Sequence, residues 1–140
     1  MTAAPSDRSA APDPGTGWRR TAGIAYVVFA ALFILSVFVQ FFLAGLGTFG
    51  AESFEAHKDF AGVFHLFALL LVILALLVRR NRVDLILVIT LFVLTTLQFS
   101  LPEANDGYVQ ALHVLNALII YTIAFHVLQR GIRSLRTSAA

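Results

Sequence analysis

The chain reads as an all-α integral membrane protein, a four-helix up–down bundle. Three observations predict this. Of its 140 residues, 59% are hydrophobic and only 13% charged, against roughly 45–50% and about 25% in a soluble domain. The apolar residues fall into four runs, each near the ~20 residues that cross a hydrocarbon core. The links between runs are short, which makes consecutive helices antiparallel neighbours.

The elements follow in order. Residues 1–20, MTAAPSDRSAAPDPGTGWRR, have little to bury and read as a disordered tail, with Trp18, Arg19 and Arg20 marking a membrane interface. The first helix is expected over 21–45. Its apolar run is too long for the 7–15-residue core of a signal peptide, so it is kept as a span. GLGTFGAESFE then links to a second helix over 56–79. Its three glycines have no strand before them, so they read as a turn rather than a phosphate cradle. Ala61 and Gly62 in the second helix read as small residues that let helices approach closely. RRNR leads to a third helix over 83–101, the weakest span, with Asp84 at its start and Pro102 as its stop. PEANDG leads to a fourth over 108–129, and residues 131–140 form a second tail.

Charge gives the orientation. Arg8, Arg19, Arg20, Arg79, Arg80, Arg82, Arg130, Arg133 and Arg136 all fall on one side, and only Lys58 falls on the other. The positive-inside rule makes both termini cytoplasmic (N-in, C-in), with the bacterial cytoplasmic membrane as the location. Glu52, Glu55, Asp59, Glu103 and Asp106 make the opposite face acidic. The pI near 9.5 comes from arginines flanking apolar segments, not from a basic stripe with interleaved aromatics. The expected partner is therefore the lipid bilayer and not nucleic acid. There is no cysteine, which removes disulfides, thiolate metal sites, iron–sulfur clusters and covalent haem attachment. No Ser–His–Asp pattern points to a hydrolase, and no catalytic residue is indicated.

Polar side chains in hydrocarbon are costly, so each needs a reason. The chain divides into two hairpins of like grammar. Gln40 lies near the outer end of one helix and His57 opens the next; Gln98 and His113 repeat the arrangement. In an up–down bundle the second and fourth helices are diagonal and parallel, so His57 and His113 are expected to face each other with Gln40 and Gln98 beside them. Ser36, Thr95 and Asn116 share helix faces with this layer and continue it inward.

Three readings stand. The layer glues the helices through interhelical hydrogen bonds, contributing about 1 kcal/mol each. Or His57 and His113 ligate the iron of a single haem b, with Gln40, Gln98 or a backbone carbonyl accepting from the second ring nitrogen. Or the two histidines hold a divalent metal with an outer carboxylate such as Glu55. His65 lies about 12 Å deeper than His57, and His126 about 20 Å inward of His113; they share no depth and read as structural. A non-catalytic membrane scaffold or subunit and a small transporter are the alternatives to a haem protein. A redox or membrane-complex partner and the oligomeric state stay open.

The stretches VQFFLAGLGTFG, FEAHKDFAG, TTLQ and ALHVLNALII resemble the small four-helix bacterial membrane proteins of the domain of unknown function 6220 family, over about Ile24 to Arg130. The family pattern matches Gln40, Gly45, Gly47, His57, Gln98, Leu112, His113 and Asn116, and departs at Val114, where proline is usual. The resemblance implies a four-helix membrane fold and no particular activity. A looser, fold-level likeness is to one half of haem A synthase and to b-type cytochromes, which place histidines at the outer ends of paired helices.

Overall fold

The computed structural model describes residues 14–137. Four helices run in order: α1 Pro14–Thr48, α2 Glu55–Leu77, α3 Arg82–Ser100 and α4 Gly107–Thr137, with a short 3-10 turn, Leu101–Glu103, between the last two. Each is long and apolar enough to cross a bilayer, the make-up of a multi-pass membrane protein. The shortest, α3 with 19 residues, spans about 28 Å, close to the ~30 Å hydrocarbon core. α1 packs on α2 and α4, and α3 on α2 and α4, while the backbones of the diagonal pairs stay more than 8 Å apart among the described residues. This is the up–down bundle expected from the short links.

α1 and α4 depart from the expected boundaries. α1 starts at Pro14 instead of residue 21, and α4 continues to Thr137 instead of stopping at 129. Proline suits the first turn of a helix, where its missing N–H had no partner anyway, and an apolar run does not mark where a helix ends once it leaves hydrocarbon. Residues 14–20 and 131–137 are therefore helical. The remainder of the expected tails, 1–13 and 138–140, lies outside the described residues.

The helix ends follow local chemistry. At the end of α1, Gly50 has φ +73, Ala51 N–H bonds to Leu46 O at 3.0 Å, and Gly50 N–H bonds to Gly47 O at 3.3 Å. This is a Schellman cap, with glycine where a left-handed residue is needed. α2 ends in the same motif, with Arg80 N–H on Ala75 O at 2.9 Å and Arg79 N–H on Leu76 O at 3.1 Å. There the left-handed position is held by Arg79, φ +52. Asn81 caps α3 by accepting from Asp84 N–H at 3.0 Å. Asp106 caps α4, its carboxylate accepting from Tyr108 N–H at 2.7 Å.

The core is apolar and closed along most of its length. Phe33, Ala68, Leu71, Val88, Leu91, Ile120, Ala124 and Val127 are all buried, and Phe33 stacks on Phe64 with ring centres 4.8 Å apart. Close helix approach is at Gly131 and Gly23, not at Gly62. A Cβ on Gly131 would lie 3.0 Å from Val27 and 3.2 Å from Tyr26, and one on Gly23 would lie 3.0 Å from Leu135, whereas one on Gly62 meets nothing within 4 Å. These contacts join α1 to α4 near the basic end. The outward faces carry exposed Leu35, Phe38, Leu66, Ile86 and Leu118, surface suited to lipid.

Candidate functional site: a histidine-lined cavity at the acidic end

Above the Phe33–Phe64 stack the bundle opens into a cavity of about 830 Å³. All four helices line it. Val37, Phe64 and Ile120 border its inner end, Phe41, Phe54 and Phe99 add aromatic walls, and Gln40, His57, Gln98 and His113 supply the polar groups. Ala44, Gly45, Ala61 and Ala117 keep part of the wall low. A Cβ on Gly45 would meet nothing within 4 Å, so the space beside it is open. Lys58 is the single cation and Glu103 the single anion among the lining residues.

His57 of α2 and His113 of α4 meet across the bundle diagonal, ring centres 6.0 Å apart and planes at 66°. Each ring is tied back to its own hairpin. His57 Nδ1 lies 3.2 Å from the backbone carbonyl of Gln40, and His113 Nδ1 lies 3.2 Å from the backbone carbonyl of Gln98. The two hairpins thus repeat one contact in three dimensions.

The glutamine side chains differ. Asn116, buried on α4, donates to Gln98 Oε1 at 2.6 Å and to Leu94 O at 2.9 Å, so Gln98 is bound away from the histidine. Gln40 turns toward α2. The amide orientation that satisfies both of its ends has nitrogen donating to His57 Nδ1 at 2.7 Å and to His57 O at 3.1 Å, and oxygen accepting from Ala61 N–H at 3.1 Å. The opposite orientation would set amide oxygen against carbonyl oxygen, so the network decides it.

The other expected members of the layer do not reach the cavity. Ser36 donates to Phe33 O at 2.6 Å and Thr95 to Phe92 O at 2.8 Å; both are buried and bond back onto their own helices. Glu55 is not beside the imidazoles. It lines a separate pocket of about 310 Å³ with Glu52, Ser53 and Asp59, and among the described residues no group of three or more His, Asp or Glu is placed to hold a metal ion. The His57–His113–Glu55 metal reading is corrected on that ground. His65 packs between Phe92 (4.8 Å) and Phe99 (5.5 Å). His126 is exposed, its Nδ1 2.9 Å from Thr122 O.

Two imidazoles meeting across the diagonal are the donor type that axial haem ligation uses. Imidazole–metal bonds run to about 2.0–2.1 Å, so one ion between two rings sets the ring centres roughly 6 Å apart. A cavity of this volume is within the usual ligand range of about 300–1,000 Å³, and the open wall at Gly45 leaves room for a flat group.

Sequence reasoning missed a second polar cluster, at the basic end. Asp84, 1% exposed, receives Arg80 at 2.6 Å and Arg130 Nε. Asn81 Nδ2 donates to the same carboxylate at 3.2 Å, and the Arg80 guanidinium lies 5.1 Å from the Tyr26 ring centre. All four helices or their caps meet here. The available signal was Asn81 three residues before Asp84, a helix-start pattern related to the capping box. From sequence its partner Arg130 reads only as a topology charge.

No curated protein and no solved structure matches the chain. Residues 40–104, 65 of the 140, match the model of a family of unknown function (DUF6220); that segment holds Gln40, His57 and Gln98, while His113 and Asn116 lie beyond it. By this match the chain resembles that family from the end of α1 to the 3-10 turn.

Proposed function

We propose that the protein is a multi-pass component of the bacterial cytoplasmic membrane, both termini inside, that binds one b-type haem between His57 and His113. The observation that carries this reading is the pair of imidazoles 6.0 Å apart at the wall of a cavity of about 830 Å³. Each ring has a backbone carbonyl 3.2 Å from Nδ1, at His113 the usual support for a nitrogen that ligates through Nε2. Lys58 is the cation available to a propionate. A bound haem would supply one-electron chemistry near the acidic face; the chain would contribute ligation, orientation and a largely apolar wall. The role is electron transfer or haem handling.

A second reading has its own support. Gln40, Gln98 and Asn116 tie α1 to α2 and α3 to α4 by hydrogen bonds, as a non-catalytic scaffold would need. Transport has less. Between the cavity and the Asp84 cluster Leu71, Val88, Leu91, Ala124 and Val127 are buried and apolar, which counts against a continuous polar path there.

The test is the visible spectrum of protein purified in mild detergent after expression with a haem precursor. The haem reading expects a Soret band, and low-spin bands on dithionite reduction. His57→Ala and His113→Ala each remove the low-spin bands, and exposed His126→Ala leaves them. Absence of a Soret band, with thermal stability unchanged by hemin, favours the scaffold.

A further inference from the structure

We propose that the two imidazoles are inequivalent and that Gln40 is the positioning residue that makes them so: His113 holds its Nε2 bare for a ligand, while His57 holds its proton on Nε2 until the Gln40 amide turns away. The first half concerns the protein alone. The consequence for iron rests on the haem reading.

A neutral imidazole carries one proton, and the partner of one ring nitrogen decides which nitrogen has it. At His113 the partner is unambiguous. Its Nδ1 faces only an acceptor, the carbonyl of Gln98 at 3.2 Å, and the Gln98 amide is held elsewhere by Asn116. Nδ1 therefore donates, and Nε2 keeps its lone pair.

His57 faces two opposed demands. The carbonyl of Gln40 at 3.2 Å asks Nδ1 to donate; the amide nitrogen of the same residue, at 2.7 Å, asks it to accept. Both cannot be met. If Nδ1 were protonated, two N–H groups would oppose each other at 2.7 Å. If it is bare, the cost is a lone-pair contact at the longer 3.2 Å. The amide is also held by His57 O and Ala61 N–H, so it does not give way freely. The bare Nδ1 wins, and the proton goes to Nε2, where it blocks ligation.

The asymmetry comes from one position. Asn116 lies three residues after His113 and takes up the amide of Gln98. Three residues after His57 stands Phe60, which has no such group to offer Gln40. His113 is thus the standing ligand and His57 the conditional one. Turning the Gln40 amide lets the His57 proton move to Nδ1 and donate to the Gln40 carbonyl.

The experiment begins without haem. Protein labelled with ¹⁵N-histidine, in detergent at about pH 8, above the ordinary imidazole value of about 6.5, is examined by long-range ¹⁵N–¹H correlation, which distinguishes protonated from bare ring nitrogens. The expected result is a proton on Nδ1 of His113 and on Nε2 of His57. In Gln40→Leu the His57 proton moves to Nδ1, while Gln98→Leu leaves His57 unchanged. One shared tautomer for both rings in the unsubstituted protein overturns the proposal, and this needs no variant to fold. With hemin added, Gln40→Leu raises the low-spin fraction and His113→Ala abolishes it; a Gln40→Leu spectrum identical to wild type overturns the conditional role of His57. If the tautomers are as expected and hemin gives no Soret change, the haem reading fails and the inequivalence stands.

Discussion

A polar group inside hydrocarbon has few partners to choose from, and at the residue scale most here can be followed to a bond, while Tyr26 Oη and His65 Nδ1 are buried with none among the described residues. Asn116 makes two, to Leu94 O and Gln98 Oε1, across the α3–α4 interface. Asn116→Ala deletes both and leaves Gln98 Oε1 without its donor, with an expected loss of about 1 kcal/mol. Thermal unfolding in detergent measures it; an unchanged midpoint would mean the bonds are replaced by water. Gly45 and Gly47, two residues apart, predict opposite outcomes. A Cβ at Gly47 would come within 2.8 Å of the Phe54 ring, so Gly47→Ala displaces that ring and destabilises the α1–α2 turn. At Gly45 the same Cβ meets open space, so Gly45→Ala stabilises the helix by up to about 1 kcal/mol. Gly45→Leu would fill that space instead, preserving the fold while weakening any ligand of the cavity.

At the scale of the element, the question is what holds helix ends that no periodic pattern marks. α1 closes on Gly50 in a left-handed conformation. Gly50→Ala places a Cβ in that region at a cost of about 1–2 kcal/mol, read as a lowered midpoint with the spectral properties of any bound cofactor unchanged. The centres of the four helices were legible because twenty apolar residues in a row have few other uses. The basic-side ends of α1 and α4 were not, because hydropathy reports the bilayer and stops reporting where the helix leaves it. Capping chemistry served better: Asn81 and Asp106 sit at helix starts, where side-chain oxygens accept from otherwise unpaired N–H groups.

The described residues form a bundle with a polar cross-tie at each end and a largely apolar middle. At the acidic end the tie is the His/Gln layer, and its pairing across the diagonal was legible: histidine and glutamine are conspicuous in hydrocarbon, and helix count and link length alone make α2 and α4 diagonal. At the basic end the tie is Asp84 with Arg80 and Arg130. It was not legible, because Arg130 is 46 residues away in sequence and arginines at that face already had a sufficient explanation as topology signals. Periodicity puts Gln40 in the layer but does not say which way its amide turns. The basic tie has its own test. Asp84→Ala leaves Arg80, largely buried, and Arg130, 36% exposed, without their carboxylate. Losing one member of a buried pair costs about 3–5 kcal/mol, and the partial exposure of Arg130 puts the expected loss at the lower end of that range, measurable as a large drop in thermal midpoint in detergent.

The proposed function requires His57 and His113 to share one ligand across the bundle diagonal. The most direct measurement is a hemin titration of the purified protein against the His57→Ala, His113→Ala double variant, followed at the Soret band. The haem reading predicts saturation at one haem per chain with a Soret band and a low-spin component in the wild type, and loss of the saturable binding and of that component in the double variant. Titration curves that coincide for the two proteins would contradict it.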